Sequence, residues 1–239
     1  MARTRPRRPP PSATRRSAPS SAARNHQTGS PPVTPQLVIG PGQHVLIIGQ
    51  NRSGKSTLAS RIAGAWSRVL VLDPKLDPAA VLPNSHIAIG VADALAHLPD
   101  RVVYRPTPAE LDDLPGAFDE LVRKVMVAGG GHGIVLHEVA DVAPGRAARW
   151  LRTAWMQGGG LGVPVVSCTQ RPFWIDRLAL SEARHVFLFT LTDPDDRERA
   201  ARLLGRHADD LPNTPEPHGF YYRGLDGLVV RCRPLSASR

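Results

Sequence analysis

Cysteine is almost missing from this chain. The 239 residues contain only Cys168 and Cys232, with no C-x-x-C pair. That argues against a disulfide framework and against a structural zinc site, and it fits a reducing, cytoplasmic setting. Long apolar runs are missing too. None approaches the ~18 residues that would be needed to cross a bilayer, and no signal-peptide apolar core is visible. Lysine is scarce, with only Lys55, Lys75 and Lys124. Acidic residues are absent from positions 1–36, which hold seven arginines, at 3, 5, 7, 8, 15, 16 and 24. The net charge is +9, so subtracting +7 leaves about +2 for residues 37–239. The basicity belongs to the N-terminal tail, and the remainder is nearly balanced.

The tail, 1–36, is rich in Pro, Ser, Ala and Arg. Such a composition cannot bury enough apolar surface to offset chain entropy, and disorder is expected. A basic arm of this kind can hold double-stranded DNA through counterion release. The competing reading is a solvating segment. Pro9-Pro10-Pro11 and the lack of an amphipathic helix argue against a transit peptide. Residues 37–239 suffice for one domain, and hydrophobic residues make up 41% of the chain, enough for a core.

What is present is most informative at Gly49-Gln50-Asn51-Arg52-Ser53-Gly54-Lys55-Ser56-Thr57, which reads G-x-x-x-x-G-K-S. Glycines at those positions let the backbone curl so that successive N–H groups face phosphate oxygens. Lys55 would reach the β- and γ-phosphates, and the Ser56 hydroxyl would sit on Mg²⁺. The following helix would add its positive end. Context agrees: His44-Val45-Leu46-Ile47-Ile48 precedes the loop as a buried strand, and Leu58, Ala59, Ile62 and Ala63 follow at helical spacing. The competing reading is an ordinary glycine turn between a strand and a helix.

Further strands are expected at 68–72, ending in Asp73-Pro74-Lys75, at 102–104, at 133–138, at 163–169 and at 183–191. Residues 76–100 are Pro-rich and weakly patterned. Helices are expected over 111–127, over 145–157 with Gly158-Gly159-Gly160 breaking it, and over 195–204. Phe220-Tyr221-Tyr222 and Leu228-Val229-Val230 flank Asp226-Gly227 as a terminal hairpin. Strands alternating with helices imply an α/β fold with a mostly parallel, doubly covered sheet, whose ligands bind at the carboxyl ends of the strands. The ends near Gly49, Asp73, Glu138, Gln170 and Leu191 then matter.

Cleaving a γ-phosphate needs a metal holder and a group that orients water. Leu136-His137-Glu138 ends an apolar strand in the Walker B manner, with Glu138 placed to polarise water. His137 stands where an aspartate is usual, and imidazole is a poor partner for the oxygen-loving Mg²⁺. The metal would then rest on Ser56, phosphates and waters, with Asp73 as a second candidate. The competing role for Glu138 is capping the next turn. Thr169-Gln170-Arg171-Pro172 closes another strand. Gln170 could sense the γ-phosphate, or the segment could be a simple Arg-Pro turn.

Together the segments 49–57, 71–75, 134–138, 169–172 and 184–189 resemble the FtsK/HerA group of P-loop ATPases. Asp193-Pro194-Asp195-Asp196-Arg197 and His218-Gly219-Phe220-Tyr221-Tyr222 look like small actinobacterial and actinophage members. The resemblance spans about residues 37–225. It implies a RecA-like core that binds ATP and Mg²⁺ and hydrolyses ATP, commonly as a homo-oligomeric ring, often hexameric, that pumps double-stranded DNA. The nucleotide roles would fall on Lys55, Ser56, Glu138 and Gln170. Relatives often carry Gly-Arg, a candidate trans-acting arginine, where this chain has Gly158-Gly159-Gly160. Arg152 or Arg171 could substitute. Arg146, Arg149 and Arg152 would form a stripe on one predicted helix, facing DNA, a neighbouring subunit or solvent. Three functions follow: a DNA-translocating or DNA-packaging ATPase, an ATP-binding regulatory or assembly factor with weak or no hydrolysis, and a small-molecule kinase. The kinase lacks support, since no arginine-rich lid is evident.

Overall fold

The computed structural model describes residues 39–214 and 216–235. The proposed DNA-binding tail, 1–36, lies outside the described residues. Nine strands form a single sheet: β1 Val45–Ile48, β2 Arg68–Leu72, β3 His86–Ile89, β4 Arg101–Arg105, β5 His132–Leu136, β6 Val165–Thr169, β7 His185–Leu188, β8 Phe220–Arg223 and β9 Val229–Cys232. Their spatial order is β3-β4-β2-β5-β6-β1-β7-β8-β9. The pairs from β3 to β7 are parallel, whereas β7–β8 and β8–β9 are antiparallel. The expected C-terminal hairpin therefore exists and extends the sheet. The helices are α1 Lys55–Ala63, α2 Val91–His97, α3 Leu114–Ala128, α4 Arg149–Leu161, α5 Arg177–Ser181 and α6 Pro194–Leu203.

Strand side chains alternate between faces, and both faces are apolar. Val45, Ile47, Val69, Val71, Val135 and Val166 pack with Leu58, Ala59 and Ile62 of α1. Leu46, Ile48, Leu70, Leu72, Ile134 and Leu136 pack with Phe118, Leu121 and Val125 of α3 and with Leu151 and Trp155 of α4. Continuous apolar runs such as Val45–Ile48 are what a strand covered on both sides requires. Trp155 satisfies its one polar group by donating Nε1–H to Ser167 Oγ at 3.2 Å.

Two expectations fail here. Residues 76–100 hold β3 and α2, which close the sheet edge. Both elements are short, and β3 is half-exposed, so neither leaves a strong apolar period. The glycine triplet does not end α4, which begins at Arg149 and continues to Leu161. Packing overrides glycine's low helix propensity: a Cβ on Gly158 would lie 2.6 Å from the Val163 carbonyl oxygen and 3.1 Å from His44 Cε1. The true break is at Gly162, which takes φ 68°. The start of α4 is capped from outside, as Asp119 Oδ1 of α3 accepts the Trp150 and Leu151 N–H groups at 2.7 and 2.9 Å.

Candidate functional site

The loop between β1 and α1 is pinned at its base. Gly49 N–H donates to the Thr169 carbonyl at 3.1 Å, and Gln50 N–H donates to the Thr190 carbonyl at 2.8 Å. β1 therefore delivers the loop between the ends of β6 and β7. Gly54 adopts φ 106°, a conformation closed to most side chains, and caps α1. Asn51, Arg52 and Thr57 face solvent, whereas Ser53 and Lys55 are buried. Lys55 folds back so that Nζ donates to the Gln50 carbonyl at 2.9 Å. Burial lowers its pKa, and this outweighs the opposing pull of Cys168 and Glu138. A bound phosphate would supply the anion that this buried ammonium lacks.

β5 lies one strand beyond β6 and brings His137 and Glu138 to the same end of the sheet. Glu138 is only 4% exposed. Its Oε1 has no hydrogen-bond partner, and its Oε2 lies 3.9 Å from Lys75 Nζ. Lys75 also lies 3.5 Å from Asp141 Oδ2. Both ring nitrogens of His137 are buried and unpartnered. Desolvation lowers the His137 pKa against the pull of Asp73 and Asp77, so the ring is neutral near pH 7. Ser53 Oγ is a further buried orphan. Unpartnered buried polar atoms are uncommon in folded proteins. Their concentration around Lys55 fits a site built to receive a polar ligand, and the loop's N–H groups, Lys55 and Ser56 fit a nucleoside triphosphate with its metal.

Asp73, at the end of β2, is fully buried and committed elsewhere. Its Oδ1 accepts the Asp77 N–H at 2.8 Å, and its Oδ2 accepts from Arg105 Nε at 3.0 Å, with Nη2 in an ion pair at the same distance. A guanidinium with two nitrogens on one buried carboxylate oxygen neutralises that charge within the fold. Sequence reasoning passed over Asp77. It caps the 3₁₀ turn Pro78–Ala80 by accepting the Ala79 N–H at 2.9 Å, and its carboxylate faces the Ser56 hydroxyl. Burial alone would raise this carboxyl. The Ala79 N–H, the Ser56 hydroxyl, His137 and Lys55 together hold it below the usual carboxylate range. The only signal for it in the sequence is an acidic residue four places after Asp73, too weak to single out.

Gln170 directly follows β6, one residue beyond the Thr169 carbonyl that holds Gly49. It therefore sits at the mouth of the phosphate loop. The two candidate substitutes for a trans-acting arginine are tied within the chain. Arg152 Nη1 donates to Asp176 Oδ2 at 2.6 Å, and Arg171 Nε forms an ion pair with Asp196 Oδ2 at 2.8 Å. Nor do Arg146, Arg149 and Arg152 form one helical stripe, because Arg146 precedes α4.

No protein-family model matches the chain, and no curated protein matches it. Solved structures do. The genome packaging NTPase B204 from Sulfolobus turreted icosahedral virus 2, in complex with sulfate, superposes with a TM-score of 0.62 at 15% identity, covering 84% of this chain and 100% of that one. The cytoplasmic domain of the type VII secretion ATPase EccC from Thermomonospora curvata gives 0.51 at 18% identity, covering 82% of this chain and 25% of that one. The pCW3 conjugation coupling protein TcpA, in its monomer form with ATPγS, gives 0.51 at 13% identity, covering 80% and 60%. The chain thus has the RecA-like P-loop NTPase fold, as the family resemblance implied.

Proposed function

We propose that this chain binds and hydrolyses ATP as a subunit of an FtsK/HerA-type motor that translocates or packages double-stranded DNA. The observation that carries the reading is Glu138: a buried carboxylate with one oxygen unpartnered, delivered by β5 to the sheet end that also presents Lys55. The likeness in fold to B204 and TcpA supports the same reading.

The chemistry follows from the residues. The triphosphate would lie along loop N–H groups within 51–57, and Lys55 would exchange the Gln50 carbonyl for phosphate oxygen. The Ser56 hydroxyl would hold Mg²⁺, which would supply neutralisation of the phosphate charge. Glu138 Oε1 accepts a proton from the attacking water, and Gln170 orients that water against the γ-phosphate. Lys75 competes for Glu138, so full activity requires that ion pair to loosen. In a homo-oligomeric, hexameric ring, a cation that stabilises the transition state from a neighbouring copy would have to be one other than Arg152 and Arg171, which are paired within each chain. The tail 1–36 adds phosphate contacts to DNA. A cytoplasmic location fits, and among the described residues no helix is long and apolar enough to cross a membrane.

A second reading, an ATP-binding regulatory or assembly factor with little turnover, is favoured by His137 in the place of a metal-holding acid and by the Lys75–Glu138 contact. ATP turnover with and without duplex DNA separates the two. The motor reading expects DNA-stimulated hydrolysis that falls by about 10²–10⁴ in Glu138→Gln with ATP binding retained. Wild-type turnover no faster than Glu138→Gln in both conditions refutes the motor and leaves the regulator. Removing residues 1–36 is expected to weaken DNA binding and flatten its salt dependence.

A further inference from the structure

The first position after β5 carries no acid to hold the metal, and Glu138 beside it is the carboxylate assigned to the attacking water. In P-loop NTPases an aspartate at that strand end shares Mg²⁺ with the loop's Ser or Thr. Here His137 occupies the position, and its two buried ring nitrogens suit softer ions than Mg²⁺. Asp73 is no substitute, since it is fully buried and its charge is already paired with Arg105. The partly exposed carboxylate that faces Ser56 comes from a different loop. Asp77 follows β2 and is held there from two sides. Asp73 accepts its N–H at 2.8 Å, and the 3₁₀ turn it caps is fastened to α1 by the Ser60 hydroxyl, which donates to the Ala79 carbonyl. One Asp77 oxygen accepts the Ala79 N–H. A carboxylate has lone pairs for a second partner.

We propose that Asp77 supplies the carboxylate of the Mg²⁺ site, standing opposite Ser56 on the metal or its water shell, in place of the acid missing from β5. A hydroxyl and a carboxylate are hard oxygen donors of the kind Mg²⁺ takes, usually one or two carboxylates beside substrate phosphates and water. Because the turn is fastened to α1, Asp77 moves with the helix that bears Ser56, which keeps the two donors in register. The inference rests on the ATP-binding reading.

The test is calorimetric titration of the full-length protein with AMPPCP, once with Mg²⁺ and once with EDTA. The wild type is expected to bind about tenfold or more tightly with Mg²⁺, the value of one charge-assisted contact. Asp77→Asn and Asp77→Ser should lose that gain while their affinity in EDTA stays at the wild-type value. Both replacements are good helix caps, so the 3₁₀ turn and the fold are retained, and a melt verifies this. Mn²⁺ affinity of the nucleotide complex, read by EPR, should fall in parallel. A full Mg²⁺ gain in both variants overturns the role of Asp77, as does a wild type that binds nucleotide with no Mg²⁺ gain. A wild type that binds no nucleotide in either condition refutes the ATP-binding reading itself.

Discussion

Replacing Arg105 with Met tests how the site's floor is built. Asp73 is completely buried, and Arg105, at the end of β4, reaches it with two nitrogens at 3.0 Å. Removing the guanidinium leaves a carboxylate with no water and no counter-charge, its remaining bonds being to backbone and loop. Breaking a buried pair from one side costs about 3–5 kcal/mol. For a domain of this size each kcal/mol lowers Tm by about 2–4 °C, so a fall of roughly 6–20 °C is expected. Asp73→Asn should cost less, about 1–3 kcal/mol, because the surviving Arg105 can turn towards solvent and Asn can still accept the Asp77 N–H. Arg105→Met combined with Asp73→Asn should be more stable than Arg105→Met alone, since the orphaned charge is gone. Urea and thermal unfolding of the four proteins complete the cycle. An Arg105→Met variant within about 1 kcal/mol of wild type would mean that Asp73 does not depend on Arg105 and is free to serve the metal.

Other outcomes follow from the same geometry. Gly158→Ala should destabilise by about 1–3 kcal/mol, because its Cβ has no room beside the Val163 carbonyl, whereas Gly160→Ala, with nothing within 4 Å, should stabilise by about 0.4–1 kcal/mol; melting curves of the two variants decide this. Burial is the leading cause that lowers the pKa of His44, His137 and His185 from 6.5. The unfolded chain therefore takes up these protons first, and stability is full above about pH 6.5 and lost as pH falls from there towards the folded-state values. His44 contributes because its Nδ1 must stay unprotonated to accept the Val165 N–H at 3.1 Å. Urea unfolding across this range should show the decline, and His137→Asn should make it shallower.

The sheet's centre was plain in the sequence because β1, β2, β5 and β6 are continuous apolar runs with polar residues at their ends, the mark of strands buried on both faces. The sheet's edge was not. His86-Ile87-Ala88-Ile89 is short and half-exposed, and α2 buries a single alanine, so neither leaves a period to read. The glycine triplet misled for a related reason: propensity argues for a break, but the close approach of Val163 and His44 at Gly158 holds the helix through it.

Local pattern alone pointed to the glycine loop with Lys55 and Ser56 and to Glu138 as candidates, and the family resemblance added Gln170. A loop's φ angles and a strand end's polar residue depend on neighbours a few positions away, so these groups announce themselves in order along the chain. The tertiary structure decided what the pattern could not hold. It drew Asp73 onto Arg105, 32 residues on, and tied Arg152 and Arg171 to Asp176 and Asp196. It also turned the Asp77 carboxylate towards Ser56. Charges pair according to distance in space, and only the parallel sheet, by setting β2 beside β4 and β5, fixes which carboxylate is occupied and which faces the phosphate loop.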